Sequence, residues 1–150
     1  MTNQQNADLT KSLDYLKNKI IFFIDKNVII NILNTNKSIE KFSIIKKYPS
    51  SIDIDIIPTK YLANYNKDGK FFLIGSNGNL ILSDNRKNNL PYVFGKIDNN
   101  VLLKFIDMIE NSQLNYKEIK NLYYFDSGRW DLEMRSGILI RLPKNKLKES

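Results

Sequence analysis

The chain has 150 residues, of which 42% are hydrophobic and 26% are charged, a composition typical of a folded protein rather than a disordered one. It contains no cysteine and no histidine, which excludes disulfides, thiol chemistry and most zinc sites and removes the commonest general base. The formal net charge is +7. Because the lysines are dispersed and Asn and Ile are also abundant, we attribute this charge to an AT-rich genome rather than to a nucleic-acid-binding surface.

The first third of the sequence predicts two short helices. In "ADLTKSLDYLKNK", Leu9, Leu13 and Leu16 fall on one helical face. Asp25 is the predicted N-cap of a second helix, "KNVIINILNTN", because its carboxylate can accept a hydrogen bond from a free backbone N–H. The apolar stripe of that helix is expected to consist of Val28, Ile29, Ile32 and Leu33.

The longest apolar run lies between these two helices. This run, "IIFFI" at Ile20 to Ile24, is interpreted as a buried connector or a short strand. It is far shorter than the ~20 apolar residues that a membrane-spanning helix needs. The opening "MTNQQNADLT" also lacks the basic and apolar regions of a signal peptide.

The hydrophobic period then changes from that of a helix to that of a strand. "IEKFSIIKKYP" and "SIDIDII" predict a hairpin closed by the turn "YPSS", in which proline fixes the backbone. Strict alternation places Ile52, Ile54 and Ile56 on one face of the second strand. Asp53 and Asp55 are expected on the other face.

Strand patterns continue through the rest of the chain, interrupted by one helix. "YLANYN", "KFFLI" and "NLILS" are strands joined by the turns "KDG" and "GSNG", and the polar "DNRKNNLP" is a loop. Asn99 or Asn100 is the predicted cap of a helix in "VLLKFIDMIENS". Its inward residues are expected to be Val101, Leu102, Phe105, Ile106 and Ile109. The last strands are "IKNLYYFD", "RWDLEM" and "GILIRL".

The order of these elements predicts an α+β fold. Two helices and a hairpin form a small αα-ββ unit, and an antiparallel β-domain with one helix follows it. The division is expected near Pro58, with residues 8–59 in the first domain and residues 60–143 in the second. Residues 144–150 are expected to begin a helix or form a tail.

No residue pattern indicates a catalytic, metal or cofactor site. Asp53 and Asp55 share a strand face and could bind a divalent metal, but no further ligand is near them in sequence, so we favour a solvated strand face. "GSNG" lacks the Lys-Ser/Thr ending of a phosphate loop. "FDSGRW" is not a nucleophile elbow, since the chain has no histidine to serve it. We therefore predict no enzymatic activity and no cofactor.

Three ordered motifs resemble the periplasmic part of the bacterial FtsQ cell-division family, called DivIB in Gram-positive bacteria. The first is the hairpin "IEKFSIIKKYPSSIDIDII". The second runs from Leu62-Ala63 through the turn between Gly75 and Gly78 to "LPYVFG". The third is "GRWDLEMRSGILIRLP", which carries the only tryptophan, Trp130. Together the motifs cover residues from about 8 to 143.

This resemblance implies a POTRA domain that lacks its first strand, followed by the β-domain of the family. It implies a scaffold of the divisome that is hung from one transmembrane helix at the periplasmic face of the inner membrane. The implied partners are FtsB and, through it, FtsL, together with FtsK and FtsW. Nucleic acid and small-molecule substrates are not expected.

Compared with the family pattern, the sequence is short at both ends. The membrane helix and first POTRA strand should precede the first helix, and a long helix and closing strands should follow "LP". We therefore expect the middle of an FtsQ-type protein, in which the strand that captures FtsB is missing. The family often has two basic residues before the tryptophan, whereas only Arg129 stands here, so a contact of the missing arginine is not transferred.

Two stretches are predicted to contact partners. They are the hairpin strand with Ile52, Ile54 and Ile56, and the strand with Arg129 and Trp130. The alternative for both stretches is a purely structural role, and for Trp130 we favour it because a tryptophan on an alternating strand is usually buried.

Other classes of protein remain as alternatives. A POTRA-bearing outer-membrane assembly or secretion protein would share the hairpin, but it would lack the strand pair around Trp130. A basic nucleic-acid-binding protein would account for the net charge. A carboxylate enzyme would have to use residues such as Asp53 and Asp55.

Overall fold

The computed structural model describes residues 3–17 and 23–143. In these ranges it has three α-helices and nine strands, which confirms the predicted α+β class. The chain divides into two compact units, unit one at Met1–Lys60 and unit two at Tyr61–Ser150. Among the described residues, no helix has both the length and the apolar character that crossing a membrane requires.

Unit one begins with two helices. Helix α1 spans Asn3–Leu13 and continues into a 3₁₀ turn at Asp14–Leu16, and helix α2 spans Lys26–Thr35. The predicted N-cap of α2 is confirmed, since the Asp25 carboxylate accepts a hydrogen bond of 2.8 Å from the Asn27 N–H.

The buried face of α2 is narrower than predicted. Ile29 and Leu33 are fully buried and Ile32 is half-buried, but Val28 is 42% exposed, so its predicted inward position is wrong. The reason is helical geometry. Successive residues are about 100° apart around the helix, so Val28 lies well away from the face that carries Ile29 and Leu33.

Two predictions fall wholly or partly outside the described residues. Of the apolar run "IIFFI", residues 20–22 lie outside them, while Phe23 is 80% exposed and Ile24 is buried. Residues 144–150, for which a helix start or tail is predicted, also lie outside them.

The predicted hairpin of unit one is confirmed. Strand β1 spans Ile39–Lys47 and strand β2 spans Ser51–Pro58, and the two pair antiparallel around a turn at residues 48–50. The core of this unit lies between the hairpin and the two helices. Its buried residues are Leu9, Ile24, Ile29, Leu33, Ile39 and Ile44.

Unit two contains a sheet of seven strands. They are β3 (Tyr61–Lys67), β4 (Lys70–Gly75), β5 (Leu80–Leu82), β6 (Tyr92–Phe94), β7 (Ile119–Tyr124), β8 (Trp130–Met134) and β9 (Leu139–Leu142). Their order across the sheet is β5-β4-β3-β6-β7-β8-β9. Every strand predicted for this unit is present, and β6 is an addition.

Strand β6 is the exception to the predicted antiparallel pairing. It runs parallel to both of its neighbours, β3 and β7, while the other pairs in the sheet are antiparallel. The physical reason is the connection, since parallel neighbours need a long crossover and helix α3, at Asn99–Glu110, supplies it between β6 and β7. The second domain is therefore a mixed sheet.

Helix α3 covers one face of this sheet. Its N-cap is Asp98, which accepts a hydrogen bond of 2.8 Å from the Asn100 N–H, and not the predicted Asn99 or Asn100. Val101 was expected inside but is 37% exposed, because it lies in the first turn on the side away from the sheet. The buried residues of the core are Ala63, Ile74, Val93, Leu102, Phe105, Ile106, Ile109, Ile119, Leu122, Trp130 and Leu132.

The segment "GSNG" joins β4 to β5 as a hairpin turn, as predicted. The Gly78 N–H donates to the Gly75 carbonyl at 2.9 Å, and the Gly75 N–H donates to the Asn79 carbonyl at 3.0 Å. Both donors are therefore engaged within the turn. Neither N–H group is therefore available to bind a phosphate.

Candidate protein-binding surface

The face of the seven-stranded sheet opposite α3, which we call the outer face, carries two rows of side chains. The pairing register defines both rows, because side chains that lie opposite each other on neighbouring strands point to the same side. The first row is Ile81, Leu73, Asn64, Tyr92, Asn121, Glu133 and Leu139. The second row is Phe71, Asn66, Phe94, Tyr123, Asp131 and Arg141.

Glu133 is the centre of a polar network on this face. Its carboxylate accepts hydrogen bonds from Lys120 Nζ and Asn121 Nδ2, both at 2.8 Å, and from the Tyr123 hydroxyl at 2.9 Å. A register shift between Ile119 and Asn121 allows Lys120 and Asn121 to reach the same carboxylate. The hydrogen bonds from Lys120, Asn121 and Tyr123 lower the pKa of Glu133 to about 2. Glu133 is therefore held as an anion and is unsuited to act as a general acid near neutral pH.

Asp131 forms a second charged cluster beside this network. The residue is only 5% exposed, and two arginines lie over its carboxylate. Arg129 Nη2 donates to Oδ2 at 3.3 Å, and Arg129 Nε lies 3.0 Å from Oδ1 without the alignment of a hydrogen bond. Arg141 Nε lies 4.0 Å from Oδ2. Two guanidinium groups thus share one carboxylate, which leaves a net positive charge at the surface.

Arg129 and Trp130 are adjacent in sequence but lie in opposite environments. The Arg129 side chain is 45% exposed, and its guanidinium carbon lies 4.3 Å from the centre of the Phe125 ring. Trp130 is 2% exposed and packs parallel to Phe105, with ring centres 3.9 Å apart. The structure therefore places Trp130 in the core and leaves only Arg129 of this pair open to solvent.

The side chains of the predicted contact strand in unit one also point toward the core. Ile52, Ile54 and Ile56 are partly buried and pack against the core of that unit. Strand β2 pairs with β1 on one side only. No strand of the described residues pairs with the other edge of β2. A partner at that edge would meet backbone N–H and C=O groups rather than the isoleucine side chains.

The two aspartates of β2 lie opposite the isoleucines, as predicted. Asp53 forms an ion pair with Lys47, and Asp55 accepts a hydrogen bond of 3.3 Å from the Ser43 hydroxyl. Both carboxylates are engaged with the neighbouring strand. In residues 3–17 and 23–143 no group of three or more His, Cys, Asp or Glu side chains is placed to hold a metal ion.

The outer face of unit two is the feature that the sequence reasoning missed. The rings of Tyr92, Phe94 and Tyr123 are in contact in that order: Tyr92 is tilted by 37° against Phe94, and Phe94 and Tyr123 are nearly parallel with centres 5.0 Å apart. A signal for part of this surface is present in "WDLEM", because its alternation places Asp131 and Glu133 together on the face opposite Trp130. The aromatic stack gives no comparable signal, since β6 has only three residues.

Comparison with known proteins now defines the class of this chain. A family model described as "Cell division protein FtsQ/DivIB, C-terminal" matches residues 63–150, which is more than half of the chain. The matched segment is nearly the whole of unit two. The chain therefore belongs to the FtsQ/DivIB family of cell-division proteins. The family predicted from the sequence motifs is confirmed.

Individual relatives agree with this assignment. The cell division protein FtsQ of Rickettsia bellii is 26% identical over 151 residues, which cover 98% of this chain and 57% of the relative. FtsQ of Bradyrhizobium diazoefficiens is 24% identical over 83% of this chain and 37% of the relative. The chain therefore spans about half the length of these relatives, or less. Both organisms are alphaproteobacteria.

Among solved structures, the chain is similar to the major extracytoplasmic domain of the cell-division protein DivIB from Geobacillus stearothermophilus, in its trans isomer. The match covers 59% of this chain and 82% of that structure, with 14% identity and a TM-score of 0.44.

Proposed function

We propose that this chain is a non-enzymatic scaffold of the bacterial divisome that acts through protein–protein contacts at the periplasmic face of the inner membrane. The observation that carries the proposal is the FtsQ/DivIB family match over residues 63–150. The residue inventory supports it, because a chain without histidine or cysteine lacks the side chains on which most catalytic sites depend. The family match does not favour an outer-membrane assembly protein or a nucleic-acid-binding protein.

The partners that we propose are FtsK and FtsW. FtsB with FtsL ranks behind them, because the strand that captures FtsB in the family is expected to be missing here. Two surfaces are suited to such contacts. One is the exposed Arg129 with its neighbouring net positive charge, which can pair with a carboxylate of a partner. The other is the backbone edge of β2 opposite β1, where an added strand would form main-chain hydrogen bonds. We also propose that unit one corresponds to the POTRA domain and unit two to the β-domain.

A binding experiment tests this function. The whole chain is purified and titrated calorimetrically with the extracytoplasmic parts of FtsB–FtsL and FtsK, and with the periplasmic loops of FtsW, all from the same organism. We expect binding to at least one of them. Arg129→Ala should weaken the contact made by that surface, whereas Lys104→Ala, which removes a cation from the exposed side of α3, should not. A folded chain that binds none of these partners would contradict the proposal.

A further inference from the structure

A shallow groove of about 630 Å³ crosses the outer face of the seven-stranded sheet. The rings of Phe71, Tyr92 and Phe94 line its floor. Asn121 and Lys120 of β7 also line it, both hydrogen-bonded to Glu133, and Arg86 adds a guanidinium group. The groove therefore combines an apolar floor with a polar and positively charged border.

The aromatic floor is held in place before any ligand arrives. Tyr92 contacts Phe94 with ring centres 4.6 Å apart, and Phe94 in turn stacks on Tyr123. Even so, Phe94 remains 42% exposed and Phe71 remains 39% exposed. Large aromatic surface that is rigid yet open to solvent is typical of a binding site, because little conformational freedom is lost when a partner covers it.

The charge at the rim selects the kind of partner. No carboxylate of the described residues lines the groove. Arg86 has no acidic partner within ion-pairing distance in the described part of the chain. Lys120 forms an ion pair with the Glu133 carboxylate at 2.8 Å, so these two charges cancel and the uncompensated charge at the groove is that of Arg86. The field in the groove is therefore positive and complements an acidic ligand.

The dimensions favour an extended peptide. The groove is lined from β4, β3, β6 and β7, and three steps of about 4.8 Å between strands give a length of about 14 Å. An extended chain advances about 3.3 Å per residue, so four or five residues fill this length.

We propose that this groove binds a short extended segment of a partner protein, in which an apolar or aromatic residue is flanked by acidic residues. The apolar side chain covers Phe94 and Phe71, and a flanking carboxylate pairs with Arg86. This inference goes beyond the divisome function and depends on the groove alone.

A peptide array probed with the whole 150-residue chain tests the proposal. The probes are immobilised ten-residue peptides of four kinds, in which a central aromatic pair or a central serine pair is flanked by either aspartates or lysines. We expect the chain to bind the aspartate–aromatic peptides and none of the other three kinds. The best binder is then titrated in solution by fluorescence anisotropy. Arg86→Glu should weaken it about fivefold, because a surface ion pair becomes a repulsion.

Matched variants separate the groove from the rest of the surface. Phe94→Ser should weaken the aspartate–aromatic peptide about tenfold, since a buried aromatic contact is lost. Phe125→Ser, with a similar exposure of 39% but outside the groove, should leave binding unchanged, and so should Lys104→Glu on α3. Melting curves confirm that each variant is folded.

Any of three results with the peptides would overturn the proposal. They are the absence of binding to any aspartate–aromatic peptide, equal binding of the lysine-flanked peptides, and binding that both groove variants leave unchanged. Binding of oligosaccharides or anionic vesicles in place of the peptides would also overturn it. Because the array peptides come from no division protein, these outcomes do not depend on whether FtsB, FtsK or FtsW binds the chain.

Discussion

At the scale of the single residue, Trp130 connects the sheet of unit two to its helix. Its ring lies parallel to that of Phe105 on α3 at 3.9 Å and contacts Tyr124 on β7 at 4.9 Å. We expect Trp130→Ala to lower the free energy of unfolding by about 3–5 kcal/mol, because the substitution leaves a cavity in the core. Urea denaturation followed by circular dichroism measures this loss.

The control for Trp130 is Phe125, an aromatic residue that is 39% exposed. Phe125→Ala should cost only about 1 kcal/mol, because the partly exposed ring loses mainly its contact with the Arg129 guanidinium. An unchanged denaturation midpoint for Trp130→Ala, together with lost partner binding, would instead make Trp130 a contact residue.

Residue-scale alternation is also where the sequence was most informative about the site. The period of two in "RWDLEM" separates Arg129, Asp131 and Glu133 from the residues that face the core. It could not show that Arg141 approaches Asp131, because that approach depends on the register between β8 and β9. The sequence pattern thus predicts the strand face on which a side chain lies. The side chains that it contacts depend on how strands pair, which the local pattern does not show.

At the scale of the element, β6 was not predicted because it is stabilised by pairing with strands that are distant in the sequence. Its three residues lie between Pro91 and Gly95, and no hairpin turn joins them to a neighbouring strand, whereas the equally short β5 follows the turn "GSNG" after β4. Pairing with β3 on one side and β7 on the other makes it a strand. The longer strands and the helices could be predicted because each carries several turns or alternations of its own.

Gly95, directly after β6, should be the least replaceable of the turn glycines in unit two. Its φ is +105°, and a methyl group at this residue would overlap the carbonyl oxygen of Tyr124 on β7. We expect Gly95→Ala to destabilise unit two more than Gly137→Ala does. Gly137 has a φ of +87° but open space around it, so alanine there bears only the backbone penalty of about 1–2 kcal/mol. Thermal unfolding of both variants measures the difference, and equal losses would show that β6 and β7 can separate at little cost.

At the scale of the whole molecule, the order of helices and strands predicted both the α+β class and a change of character near Pro58. The structure divides after Lys60. Each unit has a core cluster of its own, and no residue belongs to both. The sequence indicated two units because both early helices precede β1 and β2, whereas the residues after Pro58 are mainly strands.

Separate cores imply that each unit should lose its structure separately. Leu33 is fully buried in unit one and Leu132 is fully buried in unit two, so replacing either by alanine should cost its own core about 2–5 kcal/mol. Hydrogen exchange read residue by residue measures the outcome. We expect Leu33→Ala to reduce amide protection in α2, β1 and β2 while the seven strands stay protected, and Leu132→Ala to do the reverse. Loss of protection throughout the chain from either substitution would show that the two cores unfold as one cooperative unit.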